Sequence, residues 1–153
     1  MTFVDFKKAI GSVNRDAIWK LMSHYGIPKT FISITQKLYE DSTSQVIHKG
    51  KLTKPITVTT GVRQGCMLSP MIFLMVIDLI MLRATKNDTG IQWSFTKRLE
   101  DLDFADDICL LSHKHQHTQA KLNRLSEEDS KIGLKINKYK TEVRINNSQD
   151  LPI

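Results

Sequence analysis

Three aspartates have the types and spacing to do chemistry: the doublet Asp106 and Asp107, and Asp5 far earlier in the chain. Successive residues on a strand point to opposite faces, so a doublet serves one site only from a turn. The segment Leu99-Glu-Asp-Leu-Asp-Phe-Ala-Asp-Asp-Ile-Cys-Leu-Leu111 predicts that turn, two short strands with the acids at the tip. Carboxylates brought close repel and resist joint ionisation, a cost that a bound divalent cation removes. Asp5 lies in Phe3-Val-Asp-Phe6, a short apolar strand in which an unpaired carboxylate is costly to bury. If that strand pairs with the acidic hairpin, three carboxylates converge. Mg²⁺, or Mn²⁺ in its stead, takes such oxygen ligands and keeps substrate phosphate in its shell. Two such ions about 4 Å apart activate an attacking oxygen and stabilise a leaving one. The chemistry of that arrangement is nucleotidyl transfer. The plainer alternative is a solvated acidic hairpin, with Asp5 capping a turn. An EF-hand loop from Asp101 is excluded, because its sixth and twelfth positions call for Gly and Glu, and the chain has Asp106 and Ser112.

The elements that must carry these acids follow from periodicity. Ser12 or Asn14 caps a helix whose buried face is Ile18, Leu21, Met22 and Tyr25, closed by Gly26 and Pro28. Thr30 is expected to cap a second helix with Phe31, Ile34 and Leu38 along its buried stripe. Residues 44–48 and 56–60 read as a strand pair across a Lys-Gly-Lys turn. Ser69 and Pro70 start a helix that runs to about Lys86, ends near Asn87 and Gly90, and is apolar nearly all round, hence buried. A polar helix over residues 115–132, with Leu122, Leu125 and Ile132 as its stripe, is closed by Gly133. Residues 134–137 and 142–145 read as closing strands, and 146–153 as a frayed tail. The expected class is α+β, with helices on one face of a largely antiparallel sheet.

At 153 residues the chain is one domain or part of a larger one. Its 41% hydrophobic and 25% charged residues are ordinary globular values. Twenty-two Lys and Arg against 16 Asp and Glu give a net charge of +6, which favours a polyanionic partner or simply a solvated basic surface. Cys66 and Cys109 are far apart, form no C-x-x-C pair, and are expected to be free thiols in a reducing compartment. There is no signal-peptide pattern at the start. The longest apolar stretch, 71–82, is broken by Asp78 and is short of a membrane span, so no membrane association is expected. His113, His115 and His117 alternate in a polar stretch without a neighbouring ligand to complete a metal site. Trp19 and Trp93 could each stack on a base or simply pack.

Four blocks in order carry a family resemblance. They are Phe3-Val-Asp-Phe-Lys-Lys-Ala-Ile-Gly-Ser-Val13, Gly61-Val-Arg-Gln-Gly-Cys-Met-Leu-Ser-Pro70, Phe104-Ala-Asp-Asp107 and Gly133-Leu-Lys-Ile-Asn-Lys-Tyr-Lys-Thr141. Together they resemble the palm of a reverse transcriptase of the non-LTR, LINE-type retrotransposon kind, over residues 1–146. The resemblance implies a polymerase palm whose antiparallel sheet carries the catalytic hairpin, and RNA-templated DNA synthesis. Asp5, Asp106 and Asp107 would hold the metal ions. Lys140 would protonate the leaving pyrophosphate, or be an ordinary surface lysine. Phe6, Ile10, Arg63, Gln64, Gly65, Phe104 and Ala105 would touch substrate, with Gln64 and Gly65 against the nascent base pair. The implied partners are an RNA template, a DNA primer and deoxynucleoside triphosphates, in the cytoplasm or nucleus. The fingers and thumb lie outside the matched blocks, and their absence is expected to leave the isolated chain with little or no activity. A nucleic-acid-binding remnant and a decayed fragment are the rival readings.

The chain departs from the family at Ile10 and Gly11, where Phe and Asp are usual. The aromatic wall screens the sugar 2′-hydroxyl, the group that separates RNA from DNA. Any extension activity should therefore reject ribonucleotides less strictly than an Ile10→Phe variant does. Competing ribo- and deoxynucleoside triphosphates in primer extension checks this, and equal selectivity in the two proteins refutes it.

Overall fold

Strand β1 (Thr2–Val4) begins almost at the first residue and becomes an inner strand. In the computed structural model, residues 1–86 and 89–145 are described. They form two units, Met1–Lys7 with the described residues from Ile77 onward, and Lys8–Val76. Helix α4 (Ser69–Ala84) runs across the boundary between them. Every sheet is antiparallel, so the α+β expectation holds. The expected end of α4 near Asn87 and the frayed tail lie outside the described residues.

The second unit holds α1 (Ala9–Ser12), α2 (Arg15–His24) and α3 (Lys29–Tyr39). Two nested hairpin pairs follow. β2 (Thr43–Ser44) pairs with β5 (Ile56–Thr57), and β3 (Ile47–His48) with β4 (Lys51–Leu52). The Lys49-Gly50 turn has positive φ at both residues, 48° and 74°, the mirror-image turn that matches strand twist. Asn14 caps α2 as expected, its Oδ1 accepting from the Asp16 and Ala17 amides at 2.8 and 3.3 Å. Ile18, Leu21 and Met22 are buried, but Tyr25, the C-cap residue, is exposed.

Helix α3 corrects the expected stripe. Phe31, Ile34 and Leu38 are 65%, 53% and 48% exposed, and the buried face is Ile32, Thr35 and Tyr39. The period is right and the face is turned by one residue, about 100°. Tyr39 decides the turn, because its ring packs edge-on to Trp19 at 5.5 Å and under the Arg15 guanidinium at 5.1 Å. Thr30 does not cap this helix, whose N-cap is Pro28.

Helix α4 is also more one-sided than its composition predicts. Ile72, Phe73, Val76, Ile77, Ile80, Met81 and Ala84 are buried, whereas Met71, Leu74 and Leu82 are exposed. Ser69 does not act as the cap, since it is already helical and its hydroxyl donates to the Arg63 carbonyl.

The first unit is built on a four-stranded sheet in the order β10-β1-β9-β8, from β8 (Asp101–Phe104), β9 (Asp107–Leu110) and β10 (Glu142–Val143). Strands β6 (Ile91–Gln92) and β7 (Arg98–Leu99) pair beside it. One sheet face buries Thr2, Val4, Ile108 and Leu110, while Phe3, Leu102 and Phe104 of the other face are exposed. The expected strand over 134–137 is reduced to one bridge, Phe6 to Ile136. Helix α5 (His115–Ile132) has the expected bounds and packs on β9. Its buried face is more polar than the Leu stripe predicts, because Thr118, Lys121 and Asp129 lie in it with Leu125 and Ile132.

Lys121 is fully buried. Its Nζ donates to the carbonyls of Glu100 and Leu111 at 3.1 and 2.6 Å and pairs with the Glu100 carboxylate at 2.5 Å. Asp129 is buried without such help, and neither carboxylate oxygen has a hydrogen-bond partner. Burial first, and the Glu128 charge second, push its carboxyl up to about 7. The folded chain therefore holds this proton more tightly than the unfolded chain does. Its contribution to stability is complete below the ordinary carboxyl range and is lost as pH rises from about 4 to about 7. That span of about three pH units corresponds to roughly 4 kcal/mol. Asp129→Asn should gain stability relative to the parent across that window and level off above it. Urea unfolding of both proteins at several pH values checks this, and a constant difference refutes it.

Candidate active site

The hairpin that carries the acid doublet turns over two residues. Phe104 pairs with Asp107, leaving Ala105 and Asp106 between the strands. Asp106 is thus at the tip and Asp107 is the first residue of β9, both exposed. Ala105 has φ 58°, the left-handed region that costs a residue with a Cβ roughly 1 kcal/mol. Phe104, beside the tip, is 83% exposed.

Asp5 reaches the same end of the sheet by register. Thr2, Phe3 and Val4 oppose Leu110, Cys109 and Ile108, so the next positions along the two chains are Asp5 and Asp107. Asp5 is half-buried and held from the far block of the chain. The Asn137 side-chain amide donates to its Oδ2 at 3.0 Å, and the Asn137 backbone amide to its carbonyl at 2.7 Å. The Thr141 hydroxyl accepts from the Asp5 amide at 3.5 Å. Asn137 is a positioning residue that the sequence reading passed over. It stands in the fourth block, and a carboxamide there was the available signal.

Lys140 lies on the exposed turn after Asn137, its amide donating to the Asn137 carbonyl at 3.1 Å, rather than on a strand. Phe6 is 6% exposed and bridges Ile136, so its ring belongs to the core and not to an open substrate surface. Among the described residues no three His, Cys, Asp or Glu side chains converge as a metal-holding group. The backbone thus brings Asp5 and Asp107 to adjoining positions with Asp106 at the tip. The donor set, all carboxylate oxygen, suits a hard divalent cation. Binding would still require the three side chains to draw together.

In the other unit, Ile10 is half-buried on α1, and Arg63, Gln64 and Gly65 are exposed. These three line a cavity of about 390 Å³ with Leu38, Tyr39 and Cys66. Tyr39, also unanticipated, shapes it. Its hydroxyl accepts from the Arg63 amide at 3.2 Å and bonds the Ser69 hydroxyl at 3.1 Å. The Arg63 side chain donates to the Leu38 carbonyl at 3.3 Å. The second block is fastened to the first at Gly61, whose φ is 77°. A Cβ there would sit 2.5 Å from the Gly11 Cα, so only glycine allows the approach. The Gly61 and Val62 amides donate to the Val13 and Ile10 carbonyls at 2.7 and 2.8 Å. A Cβ added at Gly11 meets nothing within 4 Å. No helix among the described residues is long and apolar enough to cross a membrane.

Ala105→Gly should relieve the turn and raise stability by about 0.5–1 kcal/mol. Thermal unfolding at neutral pH checks it, and a destabilised variant would show that the Ala105 methyl makes a contact worth more than the strain.

A family model described as reverse transcriptase (RNA-dependent DNA polymerase) matches residues 1–149. A Retrovirus-related Pol polyprotein from the type-2 retrotransposable element R2DM of Drosophila melanogaster is 29% identical over 134 residues, 88% of this chain and 12% of that protein. The corresponding polyprotein from the type-1 element R2 of Nasonia vitripennis is 30% identical over 139 residues, 89% of this chain and 13% of that protein. One from Popillia japonica is 29% identical over 111 residues, 72% of this chain and 18% of that protein. The chain spans less than a fifth of the length of these relatives. With its acid doublet, its Asp5 strand and its two further blocks all inside the matched region, the chain belongs to the reverse transcriptase (RNA-dependent DNA polymerase) family.

Proposed function

We propose that this chain is the palm portion of a non-LTR retrotransposon reverse transcriptase, the part bearing the carboxylates for RNA-templated DNA synthesis. One observation carries the reading: the β1–β9 register that sets Asp5 next to Asp107, one residue from Asp106 at the hairpin tip. In the reaction a primer 3′-hydroxyl attacks the α-phosphate of a deoxynucleoside triphosphate, and pyrophosphate leaves. Asp5, Asp106 and Asp107 would hold Mg²⁺ or Mn²⁺, which when bound supplies the positive charge that offsets the phosphate oxygens. The chain's own residues orient and position. Asn137 keeps the Asp5 carboxylate turned by its 3.0 Å bond. The outward Phe104 ring offers a surface beside the acids, and Lys140 supplies a proton donor on a mobile stem. The cavity at Arg63, Gln64 and Gly65 is the candidate contact for template and incoming nucleotide. The relatives are polyproteins much longer than this chain, and the fingers and thumb of such a protein would supply the remaining grip.

Mn²⁺ titration with amide NMR detection tests the reading, with nucleotide and an RNA–DNA hybrid present. Broadening should be strongest at Asp5, Asp106 and Asp107, fall off with distance through neighbours such as Asn137 and Phe104, and weaken in Asp5→Asn and in Asp106→Asn. Where primer extension is detectable, Asp106→Asn should lower it at least a hundredfold. Broadening centred elsewhere, or broadening unchanged by both substitutions, overturns the proposal.

A further inference from the structure

The polar residues at the start of α5 have no part in the carboxylate chemistry. They line a cleft of about 350 Å³ whose wall is Ser112, His113, Lys114 and His115, and whose floor includes Ile91 and Val143. Among the described residues no Asp or Glu lines it. The three basic side chains are exposed, and the His113 ring is tied to β6, its Nε2 accepting from the Gln92 amide at 3.4 Å. Arg144 adds a second cation beside Lys114 at the rim, its guanidinium lying 5.1 Å above the Phe3 ring and 3.5 Å from Glu142. Lys114 is the N-cap of the 18-residue α5, and no side chain caps that end. The cleft therefore joins the positive charges of Lys114 and Arg144 to helix amides that have no side-chain acceptor.

A second feature lies on the same hairpin. Trp93 follows β6 and is 74% exposed, two residues beyond the cleft residue Ile91. Its backbone amide is bonded to the Lys97 carbonyl at 3.0 Å, which anchors the residue in the turn. A large exposed ring beside a basic cleft is the pairing that single-stranded nucleic acid uses, with phosphates on the cations and a base on the ring. A groove for a protein strand would want backbone partners instead, and a small anion would have no use for the ring.

The cleft is also separate from the carboxylates. It includes Met1, whereas Asp5 is at the other end of β1. Four residues of extended chain separate them by roughly 13 Å. We propose that this cleft is a second nucleic-acid contact, which takes the phosphates of a single strand while Trp93 stacks on a base. The proposal does not depend on the carboxylates binding metal.

Titration of the full chain with a labelled single-stranded RNA of about ten nucleotides, at 50 and 200 mM salt, tests it. The double variant His113→Ala/Lys114→Ala should bind about tenfold more weakly, and its salt slope should fall by about one unit. Trp93→Ala should weaken binding severalfold and leave the slope unchanged. Lys20→Ala, at an exposed cation of the other unit, should bind as the parent does. All four proteins should show the same circular dichroism, since the substituted side chains are exposed. Unchanged affinity and slope in the double variant, or no binding by the parent at 50 mM salt, overturns the proposal. Loss of binding in Lys20→Ala alone also overturns it, while leaving the carboxylate reading standing.

Discussion

The antiparallel pairing of β1 with β9 is the constraint on which the first unit rests. β1 is three residues long and has β9 on one side and β10 on the other. A strand so short carries few ladder bonds, and its position is secured by what it buries. Thr2 and Val4 are 0% and 3% exposed on the covered face, across from Leu110 and Ile108. A one-residue slip would turn Val4 outward and Phe3 inward, and would move Asp5 away from Asp107. The burial of Thr2 and Val4 on one face thus decides where a carboxylate stands. Asn137 reinforces it with side-chain and backbone bonds that reach Asp5 across the chain.

Polar groups inside the same unit are handled in two ways. Lys121 bonds the carbonyl just before β8 and the carbonyl just after β9, so one buried cation ties the two open ends of the acid hairpin. Its partner carboxylate on Glu100 also accepts from the Gly90 amide at 2.7 Å. Removing one member of such a pair strands the other, at a cost of about 3–5 kcal/mol. Asp129, about two turns further along α5, has no cation partner among the described residues and carries its burial as a raised proton affinity instead. Glu128, its neighbour, is pulled the other way by Lys131 and Arg83. Adjacent acids on one helix therefore respond to pH with opposite sign, because one faces the core and the other faces two cations.

Comparing expectation with outcome separates two kinds of inference. The bounds of α5, Asn14 as one of two candidate caps, a hairpin turning near the acid doublet and the four ordered blocks were all legible, though only Asp106 is in the turn and Asp107 already belongs to β9. Each depends on residues within a turn or two of one another. The face of α3 was not legible, since Phe31, Ile34 and Leu38 have as good a period as Ile32, Thr35 and Tyr39. The choice went to the stripe whose last member could meet Trp19, Arg15, Arg63 and Ser69. Ser69 illustrates the same point, because a hydroxyl read as a helix cap found stronger partners in Arg63 and Tyr39.

The sequence by itself determined which residues are candidates for the chemistry and roughly where the helices run, since periodicity, capping and turn preference are near-neighbour properties. Membership of the reverse transcriptase family is likewise a property of the ordered blocks. The tertiary structure alone decided that Asp5 adjoins Asp107, that Asn137 is its hydrogen-bond partner, and that His113, Lys114 and His115 border one cleft near Trp93. Those outcomes depend on pairings between segments up to 136 residues apart. Such pairings are chosen by which apolar faces bury together and which buried polar atoms find partners, quantities that no local window contains.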